Sequence, residues 1–225
     1  MMSEKTLLHR SLDQSSRQDQ TLRLVQLAML TAISSILVFV CFPIVPGAPF
    51  LKYDMADVPV LLAAFTMGTP AGMIVLLAAS AIQAFLFGHD GPIGFLMHVI
   101  ASGTLVLVAV SLWKALKKRR GSMIIALVCG SLAMALIMIP LNFIFTPKVL
   151  MDVPVGEAAR LFWDGLSQGY DPAGYSAAAV NAYNAVKGLL LVGLIPFNLI
   201  KAGLNSLILY FVYHRLAHLI RKRAA

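Results

Sequence analysis

Residues 58–87 read VPVLLAAFTMGTPAGMIVLLAASAIQAFLF, and the way this run divides decides the fold. As a single helix it would overshoot the roughly 20 residues that cross the hydrocarbon core of a bilayer. Gly68-Thr69-Pro70 interrupts it with two strong helix breakers. Two helices, 58–67 and 71–87, joined by a tight turn are therefore expected.

Four further apolar runs flank this pair, at 24–42, 93–113, 123–145 and 195–212. With 59% hydrophobic and 12% charged residues, the chain has too little polar surface for a water-soluble globule. The expectation is an all-α integral membrane protein with six transmembrane helices. Residues 1–20 form a polar arm and 21–225 a single six-helix membrane domain. The arm precedes the first apolar run, which therefore does not read as a cleaved signal segment. Cys41 and Cys129 fall inside apolar runs and offer neither a disulfide framework nor a metal spacing.

The net charge of +8 sits at the ends of the runs without interleaved aromatics, so nucleic-acid binding is not expected. Lys5, Arg10, Arg17 and Arg23 precede the first run; Lys114, Lys117, Lys118, Arg119 and Arg120 follow the fourth helix; Arg215 and Arg221 follow the last. The positive-inside rule places these segments, and both termini, in the cytoplasm. Asp54, Asp57, Asp90, Asp152, Glu157, Asp164 and Asp171 then fall on the extracellular side. The connection 146–194 is too long to be structureless. Residues 155–166 carry an amphipathic helical pattern, 176–192 a second helical piece, and Gly169-Tyr170-Asp171-Pro172 the turn between them.

Polar side chains at membrane depth are unfavourable, by about 2.5–3.5 kcal/mol for a charge at a helix centre, and so need a reason. Asn198 and Lys201, three apart after Pro196, share a helical face and can address one ligand. Helix packing for Asn198 and snorkelling for Lys201 are the alternatives. Asn142, two residues after Pro140, either meets a ligand with mixed hydrogen-bonding edges or satisfies a carbonyl freed by the proline. His98 fits bonding across helices. The apolar runs hold no paired carboxylates and the sequence holds no Gly-x-Ser-x-Gly or His-Glu-x-x-His, so no enzyme activity is expected. A stand-alone secondary transporter would want a coupling acid near the midplane, and no Asp or Glu falls inside any of the runs as bounded above.

Three pieces, LKYDMADVP at 51–59, GTPAG at 68–72 and IPFNLIK at 195–201, make the chain resemble the substrate-binding S component of energy-coupling factor (ECF) transporters. The similarity is greatest to the riboflavin-specific group. The resemblance implies capture of riboflavin, or a related flavin, as transported ligand at the extracellular face, with no cofactor. Another small vitamin-like heterocycle is the alternative. It further implies a multi-pass protein of a prokaryotic plasma membrane that works with a membrane-embedded coupling protein and two ATPase subunits. No Gly-x-x-x-x-Gly-Lys-Ser/Thr motif exists in the chain to hold nucleotide phosphates. Carried over by position, Asn142, Asn198 and Lys201 are the polar ligand contacts, with Tyr53 and Leu51 as further contacts. Phe50, Leu51 and Met55 would cover the ligand as a lid, Lys52 and Asp54 would pair with each other or with other loops, and Asp57 would cap the second helix. The small-xxx-small pair Ala28 and Ala32 is the implied docking face for the coupling protein.

Overall fold

The computed structural model describes the backbone of residues 4–45, 51–86, 91–117, 119 and 121–223, and side chains within 17–216 of those ranges apart from residue 86. Phe50, Phe87, Asp90, Lys118 and Arg120, and the side chains of Lys5, Arg10 and Arg221, lie outside the described residues.

The run that opened the sequence reading folds as a helical hairpin. Helix α2 spans Asp57–Met67 and helix α3 Thr69–Ala81, prolonged by a π-helical turn at Ile82–Leu86. Gly68 makes the bend at φ +103°, a conformation that side-chain-bearing residues rarely adopt. The two arms then pack so closely that a Cβ on Gly72 would stand 2.5 Å from the Cβ of Ala64 and 3.0 Å from the carbonyl oxygen of Val60.

The remaining helices are α1 (Glu4–Leu37), α4 (Gly91–Ala115), α5 (Ser122–Met151), α6 (Val155–Ser167), α7 (Ala177–Leu189) and α8 (Ile195–Arg223). Helix α1 takes in most of the polar arm and continues without a break into the first apolar run. The common core is built by α2 to α5 and α8, with Leu61, Leu76, Leu105 and Leu209 wholly buried. Helix α1 lies outside that core against α2 and α3 and keeps Val25, Met29, Ile33 and Ile36 exposed. In a lipid-embedded chain exposed apolar side chains of this kind face hydrocarbon rather than water.

By length and composition, four helical stretches suit a bilayer: Arg17–Leu37, Gly91–Ala115, Ser122–Met151 and Ala177–Leu216. Asp57–Met67 and Thr69–Phe85 are shorter. The reason is geometric, since the 11 residues of α2 rise only about 16 Å at 1.5 Å each, against a hydrocarbon core of about 30 Å.

Three boundaries differ from the sequence expectation. The first run leaves its helix at Leu37, and Phe42–Pro43 (β1) pairs antiparallel with Lys52–Tyr53 (β2), aligning Phe42 with Tyr53. Helix α5 continues to Met151 through Pro140 and Pro147, as helices supported by neighbours in apolar surroundings do. Helix α7 runs through a π-helical turn at Leu190–Leu194 directly into α8. Between α5 and α7, the amphipathic helix α6 folds back on α7 through Val153, Ala158, Leu161, Ala179 and Ala182. Its acids tie the pair together: Glu157 Oε1 accepts from the Ser176 N–H at 2.7 Å, and Asp164 accepts from the Tyr175 hydroxyl, whose pKa it raises.

Gly72→Val is expected to force the α2–α3 hairpin apart and to destabilise by about 1–3 kcal/mol. A lower unfolding midpoint in detergent measures this, and a midpoint equal to that of the parent chain would contradict the close approach.

Candidate ligand-binding site

Residues 51–57 build one wall of the site. Alternation through residues 51–53, which lead into and form β2, buries Leu51 and Tyr53 and leaves Lys52 exposed. Asp54 then turns the chain, its Oδ1 accepting from the Ala56 N–H at 3.0 Å. Ala56 carries its carbonyl to α1, where the buried Ser34 hydroxyl donates to it at 2.7 Å. The segment therefore bridges the first helix and the rest of the bundle.

Asp57 is not the cap expected of it. The N-cap residue is Ala56, with no side-chain cap bond, and Asp57 is the first residue of α2. Its carboxylate, 1% exposed, turns inward instead, 3.2 Å from His98 Nε2 on α4 and 3.3 Å from Asn205 Nδ2 on α8, which donates to it. A carboxylate can only accept here, so Nε2 carries the proton. His98 Nδ1 meets the Ser80 hydroxyl at 2.8 Å. Both ring nitrogens are thus engaged across helices, the packing role expected of this residue.

The Lys52–Asp54 alternatives resolve in a third way. Asp54 Oδ2 accepts from Lys201 Nζ at 2.8 Å, with each side chain only 11% exposed. A buried ammonium requires a counter-charge, and a helix carrying Lys201 at this depth finds it in Asp54, 147 residues away. The carboxamides make local bonds: Asn142 Nδ2 donates to Met138 O at 2.8 Å and Asn142 Oδ1 accepts from Thr146 Oγ1 at 2.9 Å, while Asn198 Nδ2 donates to Leu194 O at 2.7 Å. Each amide commits one of its two N–H groups to these bonds, so hydrogen-bonding capacity remains.

A cavity of about 440 Å³ lies within this frame, inside the range of about 300–1,000 Å³ usual for small-molecule sites. Leu51, Asn142, Asn198 and Lys201, assigned to ligand contact from the sequence, all line it. Asp54, Lys52, Gln83 and His98 add polar groups, and Met97, Met134, Met138 and Phe197 supply apolar wall.

Tyr53 is not brought to the cavity lining. Its ring packs in a cluster with Leu51, Phe143 and Phe197 beside Phe42, and its hydroxyl donates to Asn205 Oδ1 at 3.0 Å. Burial, and secondly the Asp54 carboxylate, raise the phenol pKa, so the group stays a donor. The expected docking residues Ala28 and Ala32 are both exposed on α1. Asn205, wholly buried, was missed by the sequence reading; its signal is the spacing of Asn198, Lys201 and Asn205 on one stripe of α8.

Together, a bundle of apolar helices and a short hairpin beside a polar-studded cavity define a membrane protein with a pocket of small-molecule size. The family described as "ECF transporter, substrate-specific component" matches residues 22–213. The chain belongs to that family. The riboflavin transporter RibU of Staphylococcus aureus is 30% identical over 204 residues, covering 90% of this chain and 94% of its own. The riboflavin transporter FmnP of Bacillus subtilis is 27% identical over 197 residues, covering 86% and 91%. The solved S component of a bacterial ECF transporter superposes with a TM-score of 0.67 at 29% identity, over 89% of this chain and 98% of that one.

Lys201→Met is expected to destabilise the ligand-free protein by about 3–5 kcal/mol, because it leaves Asp54 buried without its partner. Adding Asp54→Leu should restore most of that loss, read as thermal unfolding in detergent. Equal stability of the single variant and the parent would remove the ion pair from the account.

Proposed function

We propose that the chain is the substrate-capture subunit of an ECF-type vitamin importer and that its ligand is riboflavin. The observation that carries this reading is the meeting of Leu51, Asn142, Asn198 and Lys201 in one cavity, with relatives named as riboflavin transporters supporting the choice of ligand. A flat, largely apolar ring system with mixed donor and acceptor edges suits methionine and phenylalanine walls bearing a few amides. In this reading Asn142, Asn198 and Lys201 give the polar contacts, and Leu51 covers the ring from the hairpin side. Asp54 neutralises Lys201, so the site presents a paired charge rather than a naked one.

Six membrane-embedded helical stretches with both termini in the cytoplasm would place the hairpin and the cavity at the extracellular face of a prokaryotic plasma membrane. The ligand then passes inward when the chain associates with a membrane-embedded coupling protein and two ATPase subunits. The exposed face of α1 bearing Ala28 and Ala32 is the docking surface in this scheme, since two small residues one turn apart let a partner helix approach closely.

Titration of the purified protein with riboflavin should quench flavin fluorescence and saturate at one flavin per chain. An absence of quenching at micromolar flavin would exclude riboflavin. For docking, Ala28→Trp combined with Ala32→Trp should abolish uptake in cells that contain the coupling module while riboflavin binding to the isolated subunit is retained. Normal uptake by the double variant would move the docking face off α1.

A further inference from the structure

Asn205 does not line the cavity, yet its carboxamide holds three residues of the one segment, 53–57, that adjoins it. Its Oδ1 accepts from the Tyr53 hydroxyl of β2 at 3.0 Å. Its Nδ2 donates to the Asp54 main-chain oxygen at 3.2 Å and to Asp57 Oδ2, the first residue of α2, at 3.3 Å. The side chain is 0% exposed, so water cannot replace any of these bonds. The position demands a group that both donates and accepts: a carboxylate could not donate to Asp54 and Asp57, and an ammonium could not accept from Tyr53.

The consequence reaches the cavity at second hand. Fixing the Asp54 backbone sets its carboxylate 2.8 Å from Lys201, and fixing Asp57 sets its other oxygen 3.2 Å from His98. Lys201 and His98 both face the ligand space. We propose that Asn205 is a positioning residue of the ligand site: it touches no ligand, and it clasps residues 51–57 to α8 so as to set how fast a bound ligand escapes. This rests on the reading of the cavity as a flavin site.

The experiment compares Asn205→Leu and Tyr53→Phe with Ser206→Ala. Tyr53→Phe removes one bond of the clasp and keeps the ring. Ser206 is also buried on α8, but its hydroxyl meets Ser131 at 3.3 Å, away from the hairpin. Two rates are measured on full-length protein in detergent: riboflavin dissociation, and hydrogen exchange of the amides of residues 51–56 without ligand. Dissociation should rise roughly 2- to 10-fold in Tyr53→Phe, the change one net hydrogen bond supports, and further in Asn205→Leu. Exchange should rise in parallel, because local opening sets it, while Ser206→Ala leaves both rates at the parental value.

Unchanged rates in the two clasp variants, or an equal rise in Ser206→Ala, overturn the proposal. So does faster exchange with unaltered dissociation, since the clasp would then not govern escape. If Asn205→Leu fails to fold, Tyr53→Phe decides. If the parent protein binds no riboflavin, the flavin reading falls by itself. The exchange comparison then still supports the clasp if it accelerates in Tyr53→Phe and overturns it if it does not.

Discussion

The structure depends on the pairing of charge inside an apolar bundle. Asp54 and Asp57 sit within three residues of each other, both buried, where an isolated carboxylate would be strongly disfavoured. Their partners come from distant parts of the chain: Lys201 and Asn205 from α8, and His98 from α4. Because each carboxylate must be satisfied, the entry into α2 is held against α4 and α8 in one arrangement. The same requirement places Lys201 and His98 on the cavity wall. Polar pairing thus supplies what hydrocarbon contacts between helices in lipid do poorly, a specified register.

The apolar framework sets the distances over which this pairing works. Close packing of α2 on α3 at Gly72, and of α4 on α5 at Gly130, where a Cβ would come within 2.9 Å of the Leu105 carbonyl oxygen, makes a compact four-helix body. Helix α8 closes it, contributing Ala202 and Leu209 to the core and Asn198, Lys201 and Asn205 to the polar side of the same element. Helix α1 stands apart from this division of labour. Its Ser34 hydroxyl donates to the Ala56 carbonyl and its Arg23 guanidinium to the Met67 carbonyl, while much of its apolar surface is uncovered.

What could be read from the sequence follows how local each signal is. Gly68-Thr69-Pro70 marked the hairpin because glycine and proline act on their own backbone. Asn142, Asn198 and Lys201 stood out because polar groups in apolar runs need a reason, and they and Leu51 do meet at one cavity. Asp57 looked like a cap because it stands at a helix start ahead of Pro59, but contacts with residues 41 and 148 positions away outweigh that local preference. Tyr53 was assigned to the ligand by the family resemblance, whereas its hydroxyl is held by Asn205. Asn205 itself left only a weak trace, since two of its three partners sit on a short segment whose fold gives no periodic pattern. The extension of α5 beyond Pro147 was invisible for a related reason: neighbours, not propensity, keep that helix going.

The turn at Leu190–Leu194 links two halves with separate loyalties. Helix α7 packs on α6 and on Phe143 of α5, and α8 on the common core, and the π-helical geometry between them holds one residue more than an α-helical turn does. Each residue of an α-helix advances the azimuth by about 100°. Loss of a single residue there would re-phase α8 by that angle, carrying its stripe of amides and its ammonium off the cavity wall while every contact of α7 stayed in place. The extra residue acts as a phase adjuster, and the chain tolerates an irregular turn at this point because a regular one would aim the binding face elsewhere.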